Sequence, residues 1–325
     1  MNIKLSIITI NYNNAEGLKK TLASVAAQTY PNIEHIIVDG GSTDGSVDVI
    51  RAYEQQLASR LSPLASDLKW VSEKDTGIYN AMNKGIEIAL GRRIVNDDHT
   101  SSPIAYIPLP IASNDYIQIL NSGDLLATPD VTERMFQAIG NRQLAIDEEN
   151  SKADTHASRL ENIPAILYGN MTKVNAAGQV VGKSGYTEYS LRQFYHSTLN
   201  HDCAYIRKDL FEEYGLYDES LKIVSDWKWY LQAIGLGKVK PEYVDIDVTI
   251  FDDGGISETQ LDRRAAERRQ VLEELLPPAV LWDYDTHAFE MEQMNRLRRW
   301  KLYPLVYFME RVLFKLEKWG VLRNK

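Results

Sequence analysis

A single cysteine, Cys203, among 325 residues excludes an internal disulfide framework and fits a reducing compartment. No run reaches the ~18 uncharged apolar residues that a membrane-spanning helix needs. The stretch from Met1 to Ile10 carries one lysine and no apolar block long enough for a signal peptide. These absences predict a cytoplasmic protein. Excess positive charge is missing too: a net charge of −9 argues against a general nucleic-acid binder. What remains is ordinary for a soluble globular chain, with 44% hydrophobic and 25% charged residues. The length suits one large domain or two modest ones.

The charge is unevenly spread. Residues 296–325 hold nine Lys or Arg against two Glu, a local +7 that leaves −16 on the rest. Within this basic tail Leu305, Phe308, Met309, Val312, Leu313, Leu316 and Trp319 recur at helical spacing, with Pro304 placed as a first helical residue. Such a helix, flanked by Arg296, Arg298, Arg299, Lys301, Lys315 and Lys318, suits an anionic membrane surface. The alternative is packing on the preceding part of the chain or on a second copy of it, a homodimer.

Strand and helix signals alternate through the first half. Strands are predicted at Leu5–Ile10, Ile33–Val38, Leu68–Val71 and Tyr116–Leu120. Helices are predicted before Pro31, after Ser46, over Ile78–Leu90 closed by Gly91, and from Pro129 with Thr128 as its cap. This rhythm means an α/β fold, a mostly parallel sheet with helices on both faces. Two polar stretches interrupt it: 92–114, a long insertion, and 141–162, a second surface excursion. After Ile166 the pattern turns to α+β, with a hairpin around Asn175–Gly178. Beyond Ser257 the chain reads as helical, which puts a soft boundary between 1–257 and 258–325.

Four clusters could carry chemistry. Ile33–Ser46 is a buried β-branched run that stops at Asp39, followed by Gly40-Gly41-Ser42. With Thr9 and Asn11 at the neighbouring strand tip, Asp39 could accept hydrogen bonds from a nucleoside, since nucleotides bind at the carboxyl ends of open α/β sheets. A surface turn reads equally well. Asp75 precedes a helix on which Asn80 and Lys84 share a face that could hold a diphosphate or fix a loop. A strand ends in Asn121-Ser122-Gly123-Asp124, where a carboxylate could help hold a hard divalent cation or merely form a turn. Asp226 opens a helix as a carboxylate suited to a general base or as an ordinary first-turn acid beside a Ser225 cap. His201 alone fits a structural histidine, and Cys203 a buried one.

The order of these clusters resembles the family 2 glycosyltransferases of the GT-A fold from about Leu5 to Ser257. Ser6–Asn13, Gln28–Gly45, Asp75–Gly85 and Leu120–Asp124 match its blocks, and Phe251–Ser257 is similar to the closing Gly-Gly-x-Ser loop of a subgroup from bacterial capsule, O-antigen and exopolysaccharide clusters. The resemblance implies that Thr9, Asn11, Asp39 and Asp75 hold the donor nucleoside, that Asp124 binds Mg²⁺ or Mn²⁺, and that Asp226 is the base. His201 falls near the acceptor or the metal. It implies inverting transfer from a nucleoside diphosphate sugar to a sugar or lipid-linked acceptor. The chain departs from the pattern at Asn121 and Gly123, often acidic in the family, and at Ser225. Two alternatives stand beside this reading. A nucleotidyltransferase would want a glycine-rich, cation-bearing loop after the first strand, which Asn11–Gly17 lacks. A non-catalytic nucleotide-sugar-binding module would account for Asn121 and Gly123.

Overall fold

β-Branched and aliphatic runs that end in polar residues become strands whose tips line up at one sheet edge. In the computed structural model these are β1 (Leu5–Asn11), β2 (Ile33–Asp39), β3 (Leu68–Ser72) and β6 (Tyr116–Asn121), paired in parallel in the order β3-β2-β1-β6. The structure describes residues 3–318 apart from 60–63, 65–66, 97, 105–114, 150–162, 176, 253–258 and 300–302. The sheet continues through β10 (Ala204–Arg207), β8 (Ile166–Val174), β11 (Pro241–Asp252) and β7 (Leu125–Leu126), with β9 (Val180–Ser184) paired to β8. β10 runs antiparallel to both β6 and β8, so the sheet is mixed rather than purely parallel.

Helices α1 (Ala15–Ala26) and α2 (Ser46–Ser59) pack on one face, where Leu18, Leu22, Ile50, Tyr53 and Leu57 meet Ile37 and Trp70. α4 (Val131–Glu149) adds Val131, Met135, Phe136 and Ile139 to a larger core with Leu5, Ile7, Leu120, Leu167 and Tyr205. α3 (Ile78–Ala89) packs against β1 and β2 and closes on Gly91 at φ +68°. Its close approach depends on Gly85, where a Cβ would lie 2.4 Å from Ile8 Cγ2. The insertion contains a short hairpin, β4 (Arg93–Val95) with β5 (Ser101–Pro103), while 105–114 lie outside the described residues.

Two boundaries differ from expectation. α4 starts at Val131 rather than Pro129, because the Thr128 hydroxyl donates to Asp130 (2.5 Å) instead of capping the helix. The expected excursion at 141–162 begins instead as helix: Asn141–Glu149, rich in Gln, Leu, Ala and Glu, extends α4, and 150–162 lie outside the described residues. The hairpin around Asn175–Gly178 forms as expected, with Gly178 at φ +74°.

The second half contributes α5 (Leu191–His196), α6 (Leu210–Glu213) and α7 (Ser225–Tyr230), which runs on as a π-helical turn over Leu231–Leu236. Helices α8 (Leu261–Leu275), α9 (Pro278–Arg298) and α10 (Tyr303–Lys318) follow. The chain divides into two compact units, Met1–Arg268 and Arg269–Lys325. In the second, Arg269 pairs with Glu273 and Asp285. Along α10 the apolar residues Leu305, Phe308, Met309, Val312 and Leu313 are exposed. No described helix is long and apolar enough to cross a membrane.

The α2 face of the sheet buries a histidine. His35 is fully enclosed, with Nε2 3.0 Å from the Thr9 hydroxyl and Nδ1 3.0 Å from the Tyr53 hydroxyl. Burial pushes its pKa from 6.5 down to about 3. The folded state therefore refuses a proton that the unfolded chain takes up near pH 6.5. This contribution to stability is complete above that pH and is lost as pH falls toward 3, by at most about 1.4 kcal/mol per pH unit. The His35 ring resonances should stay unchanged from pH 8 to 5 in the folded protein; a midpoint near 6.5 would contradict this account.

Candidate active site

The carboxyl edge of β1, β2 and β6 opens on a cleft of about 1270 Å³ lined by Asn11, Tyr12, Gly40, Gly41, Lys74, Asp75, Tyr79, Asn121, Asp124, His201, Asp202 and Asp226, among others. All four clusters singled out in the sequence thus reach one site, although not every residue in them does.

At one end Asp39 is a knot rather than an open acceptor. Its Oδ1 accepts from Asn11 Nδ2 (2.7 Å) and the Ser42 hydroxyl (2.6 Å). Its Oδ2 accepts from the Ser42 N–H (2.9 Å) and the Ser72 hydroxyl (2.7 Å). Asp39 is wholly buried and does not line the cleft. Neither does Thr9, which lies two residues back from the strand tip on the face that Asn11 shares, with its hydroxyl held against His35. The direct wall here is Asn11, Tyr12, the Gly40-Gly41 turn and Asp75. A Cβ on Gly40 would sit 2.4 Å from Asp75 Oδ2 and 3.2 Å from the Tyr12 ring, and Gly41 has φ +77°. Burial raises the Asp75 carboxyl, against the Gly77 N–H that donates to it at 3.0 Å. Tyr12, 65% exposed, was not singled out in the sequence although it directly follows Asn11 at the strand tip.

Asn80 and Lys84 stay out of the cleft, a correction to the diphosphate reading. Asn80 Nδ2 donates to Glu219 (2.8 Å), and buried Lys84 pairs with Glu73 (2.9 Å) and donates to the Lys74 carbonyl (3.1 Å). Glu73 also accepts from Ser101 N–H (2.7 Å) and Oγ (2.9 Å) of the inserted hairpin. Lys84 fixes the Glu73–Asp75 loop, while Asn80 holds Glu219 and the Thr76 N–H; spacing showed their shared face but not their depth.

The other end of the cleft is a connected chain of polar groups. Asp226, at the start of α7, accepts from the Tyr79 hydroxyl (2.8 Å) and lies 3.1 Å from His201 Nδ1. His201 Nε2 is 3.2 Å from Asn121 Nδ2, which donates to Asp124 Oδ2 (3.1 Å). The Asp226 side chain is only 15% exposed and His201 19%. Burial alone would raise the Asp226 carboxyl, yet the hydrogen bond and charge of His201, with Tyr79, hold it below the usual range. Burial pulls His201 down, but Asp226, Asp202 and Asp124 outweigh it and lift the imidazole to about 9. Ser225 is not a cap: its hydroxyl is buried without a partner.

Asp124 is different. Burial and the neighbouring Asp202 push it up to about 7 against the pull of His201 and Asn121. Asn121 Oδ1 is buried with no hydrogen-bond partner. A carboxylate short of positive charge beside an orphaned amide oxygen fits a hard divalent cation. Among the described residues, no group of three His, Cys, Asp or Glu side chains could hold one unaided. Asp124 would therefore share it with donor phosphates and water. Cys203 is buried, and burial pushes its thiol up, so it stays inert.

A mixed α/β sheet with a cleft at its carboxyl edge and acids at its floor fits the GT-A fold. The chain overlays *Staphylococcus aureus* TarS 1-349 in complex with UDP at a TM-score of 0.50 and 18% identity, over 77% of this chain and 60% of that one. The complex with UDP-GlcNAc gives 0.51 and 16%, over 79% and 61%. The chain thus spans about three-fifths of the TarS structure. Residues 6–104 match the family model for Glycosyl transferase family 2. An uncharacterized glycosyltransferase of *Mycobacterium tuberculosis* is 28% identical over 233 residues, covering 70% of this chain and 68% of that protein. A PGL/p-HBAD biosynthesis glycosyltransferase of *Mycobacterium bovis* is 23% identical over 266 residues, covering 81% and 82%. The chain is a glycosyltransferase whose residues 6–104 resemble family 2.

Lys84→Met should cost about 3 kcal/mol in urea unfolding, because it strands the Glu73 carboxylate in a largely enclosed pair. A lysine that held a diphosphate would instead lose nucleotide affinity with stability intact.

Proposed function

We propose that the protein transfers a hexose from a nucleoside diphosphate sugar to an acceptor hydroxyl with inversion, in the synthesis of bacterial surface polysaccharide. The observation that carries this reading is Asp226: enclosed at the cleft, yet kept ionised by His201 and Tyr79. A group so held can take the acceptor proton as the oxygen attacks. His201 keeps the carboxylate oriented and stabilises its charge. The nucleoside would lie against Asn11, Tyr12 and Asp75, with Asp39 and Thr9 acting through the groups they brace. Asp124 would hold Mg²⁺ or Mn²⁺ with Asn121 and the donor diphosphate. When bound, that ion neutralises charge on the departing diphosphate. UDP and UDP-GlcNAc occupy the TarS structures, and the M. bovis relative is named for PGL/p-HBAD biosynthesis, which support a nucleotide-sugar donor and a glycoconjugate product. Buried Asp226 and Asp124 in one cleft favour an enzyme over a passive binding module.

Asp226→Asn should lower nucleoside diphosphate release from the donor by about 10²-fold or more while leaving nucleotide binding intact. Near-native turnover in the variant would remove the base from the mechanism.

In this reading the carboxyl-terminal unit would lie on the inner face of the cell membrane, which the exposed apolar residues of α10, with Arg311, Lys315 and Lys318, support. The full chain should float with vesicles containing 30% anionic phospholipid and not with neutral ones. Phe308→Glu with Leu313→Glu should abolish flotation; equal flotation of both proteins would place the helix elsewhere.

A further inference from the structure

β3 stands at one end of the strand order, and an edge strand leaves N–H and C=O groups to be covered. The hairpin inserted after α3 meets it there. The Ser72 N–H, at the tip of β3, donates to the His99 carbonyl (2.8 Å). The His99 ring stacks on the buried Trp70 indole, with centroids 3.5 Å apart and planes at 13°. The turn that presents His99 is itself braced, since Asp98 accepts from the Thr100 N–H (3.1 Å) and hydroxyl (2.7 Å). Arg93, at the other end of the hairpin, pairs with Glu87 of α3 (2.8 Å). One side chain carries this brace toward the cleft. Ser101 Oγ accepts from Arg93 Nη1 (2.9 Å) and donates to Glu73 Oε1 (2.9 Å), while the Ser101 N–H donates to Glu73 Oε2 (2.7 Å). Each oxygen of the carboxylate therefore meets one donor of Ser101. Glu73 in turn pairs with Lys84 (2.9 Å), and Lys84 donates to the Lys74 carbonyl (3.1 Å). The Glu73 side chain is 18% exposed and that of Lys84 10%, so water screens this relay little. Burial works against the Glu73 carboxylate, yet Lys84 and Ser101 hold it below the usual range.

Arg93, Ser101, Glu73 and Lys84 do not line the cleft, whereas Lys74 and Asp75 do. The loop that carries these two is gripped from two sides. On the inner side the Glu73 N–H donates to the Asp39 carbonyl (3.0 Å), and the Lys74 nitrogen lies 3.3 Å from where a Cβ on Gly41 would be. On the outer side the grip comes through Ser101 and Lys84. A loop gripped on one side only would have to be ordered by the ligand, and that ordering would be subtracted from the affinity. We propose that Ser101 is a positioning residue for the donor nucleoside: through Glu73 and Lys84 it sets the Lys74–Asp75 wall before a nucleotide arrives. The inserted hairpin is then a preorganising brace of the donor site rather than a tolerated insertion. This rests on the reading that the nucleoside lies against Asp75.

The probes are UDP and GDP, titrated calorimetrically with Mn²⁺ into the full chain at a temperature well below its unfolding midpoint. Ser101→Ala keeps the backbone N–H but removes the hydroxyl bridge between Arg93 and Glu73. It should weaken the nucleotide that the native chain binds by about three- to tenfold, a fraction of what one hydrogen bond to a charged group carries. Ser101→Thr, which keeps the hydroxyl, should restore most of the affinity. A hairpin that only covered the edge of β3 would leave affinity unchanged in both variants. In a Glu73→Gln background Ser101→Ala should add little further loss, because the two residues act along one path. Unchanged affinity in Ser101→Ala, no recovery in Ser101→Thr, or full additivity with Glu73→Gln would overturn the proposal. Asp75→Ala separates it from the reading on which it rests. Native affinity in that variant, or no binding of either nucleotide by the native chain, would take the nucleoside off this wall and the brace with it. A loss in Asp75→Ala without one in Ser101→Ala would sink the brace alone.

Discussion

One carboxylate ties the sheet edge together. Asp39 accepts four hydrogen bonds, from Asn11, from Ser42 twice and from Ser72, and so joins the tips of β1, β2 and β3 to the loop between β2 and α2. Burying a carboxylate without partners would cost far more than the fold could bear, but four donors, two of them rigidly placed by strands, compensate its desolvation. The neighbouring backbone repeats the same links: Gly40 N–H donates to the Asn11 carbonyl (2.9 Å) and Glu73 N–H to the Asp39 carbonyl (3.0 Å). The glycine turn and Asp75 take their positions from this knot. The strand-end acid therefore shapes the nucleoside wall without forming its surface.

α3 connects this knot to the catalytic end. Its amino-terminal side follows Asp75, Tyr79 reaches Asp226, and Asn83 exchanges hydrogen bonds with the Tyr217 backbone at 2.8 and 3.0 Å. Asn80 and Asn83 both donate to Glu219. A helix so dense in amides and so close to the sheet at Gly85 sets the separation between the wall that would hold a nucleoside and the acid that would take a proton. Polar side chains on this helix act as rigid spacers, which is what a displacement at a fixed distance requires.

The strands and their tips were legible because a β-branched run ending in Asp, Asn or Gly has few other solutions. The convergence of Asp75, Asp124, His201 and Asp226 followed from strand order and family resemblance together. Depth was not legible. Thr9 and Asn11 sit two apart on the same face of β1, yet of the two only Asn11, at the strand's end, reaches the cleft, and Thr9 is committed to His35. Lys84 and Asn80 share a helical face, but that face looks toward the Glu73 loop and Glu219. The helical start of the 141–162 stretch was masked by its polarity, since propensity rather than an apolar stripe extends α4 there.

The distribution of charge explains how an acidic protein can take anionic substrates. With −9 overall, the surface repels a nucleoside diphosphate sugar at long range. The cleft reverses this locally: Lys20, Lys74, Lys173, Lys222, Arg264 and Arg268 line it together with Glu16, Asp75, Asp124, Asp202 and Asp226. The deepest acids, Asp124 and Asp202, lie together on the floor, so that a cation there is drawn in by the same carboxylates that would otherwise expel phosphate. Near neutrality in the cleft thus arises from interspersed acids and cations rather than from an absence of charge.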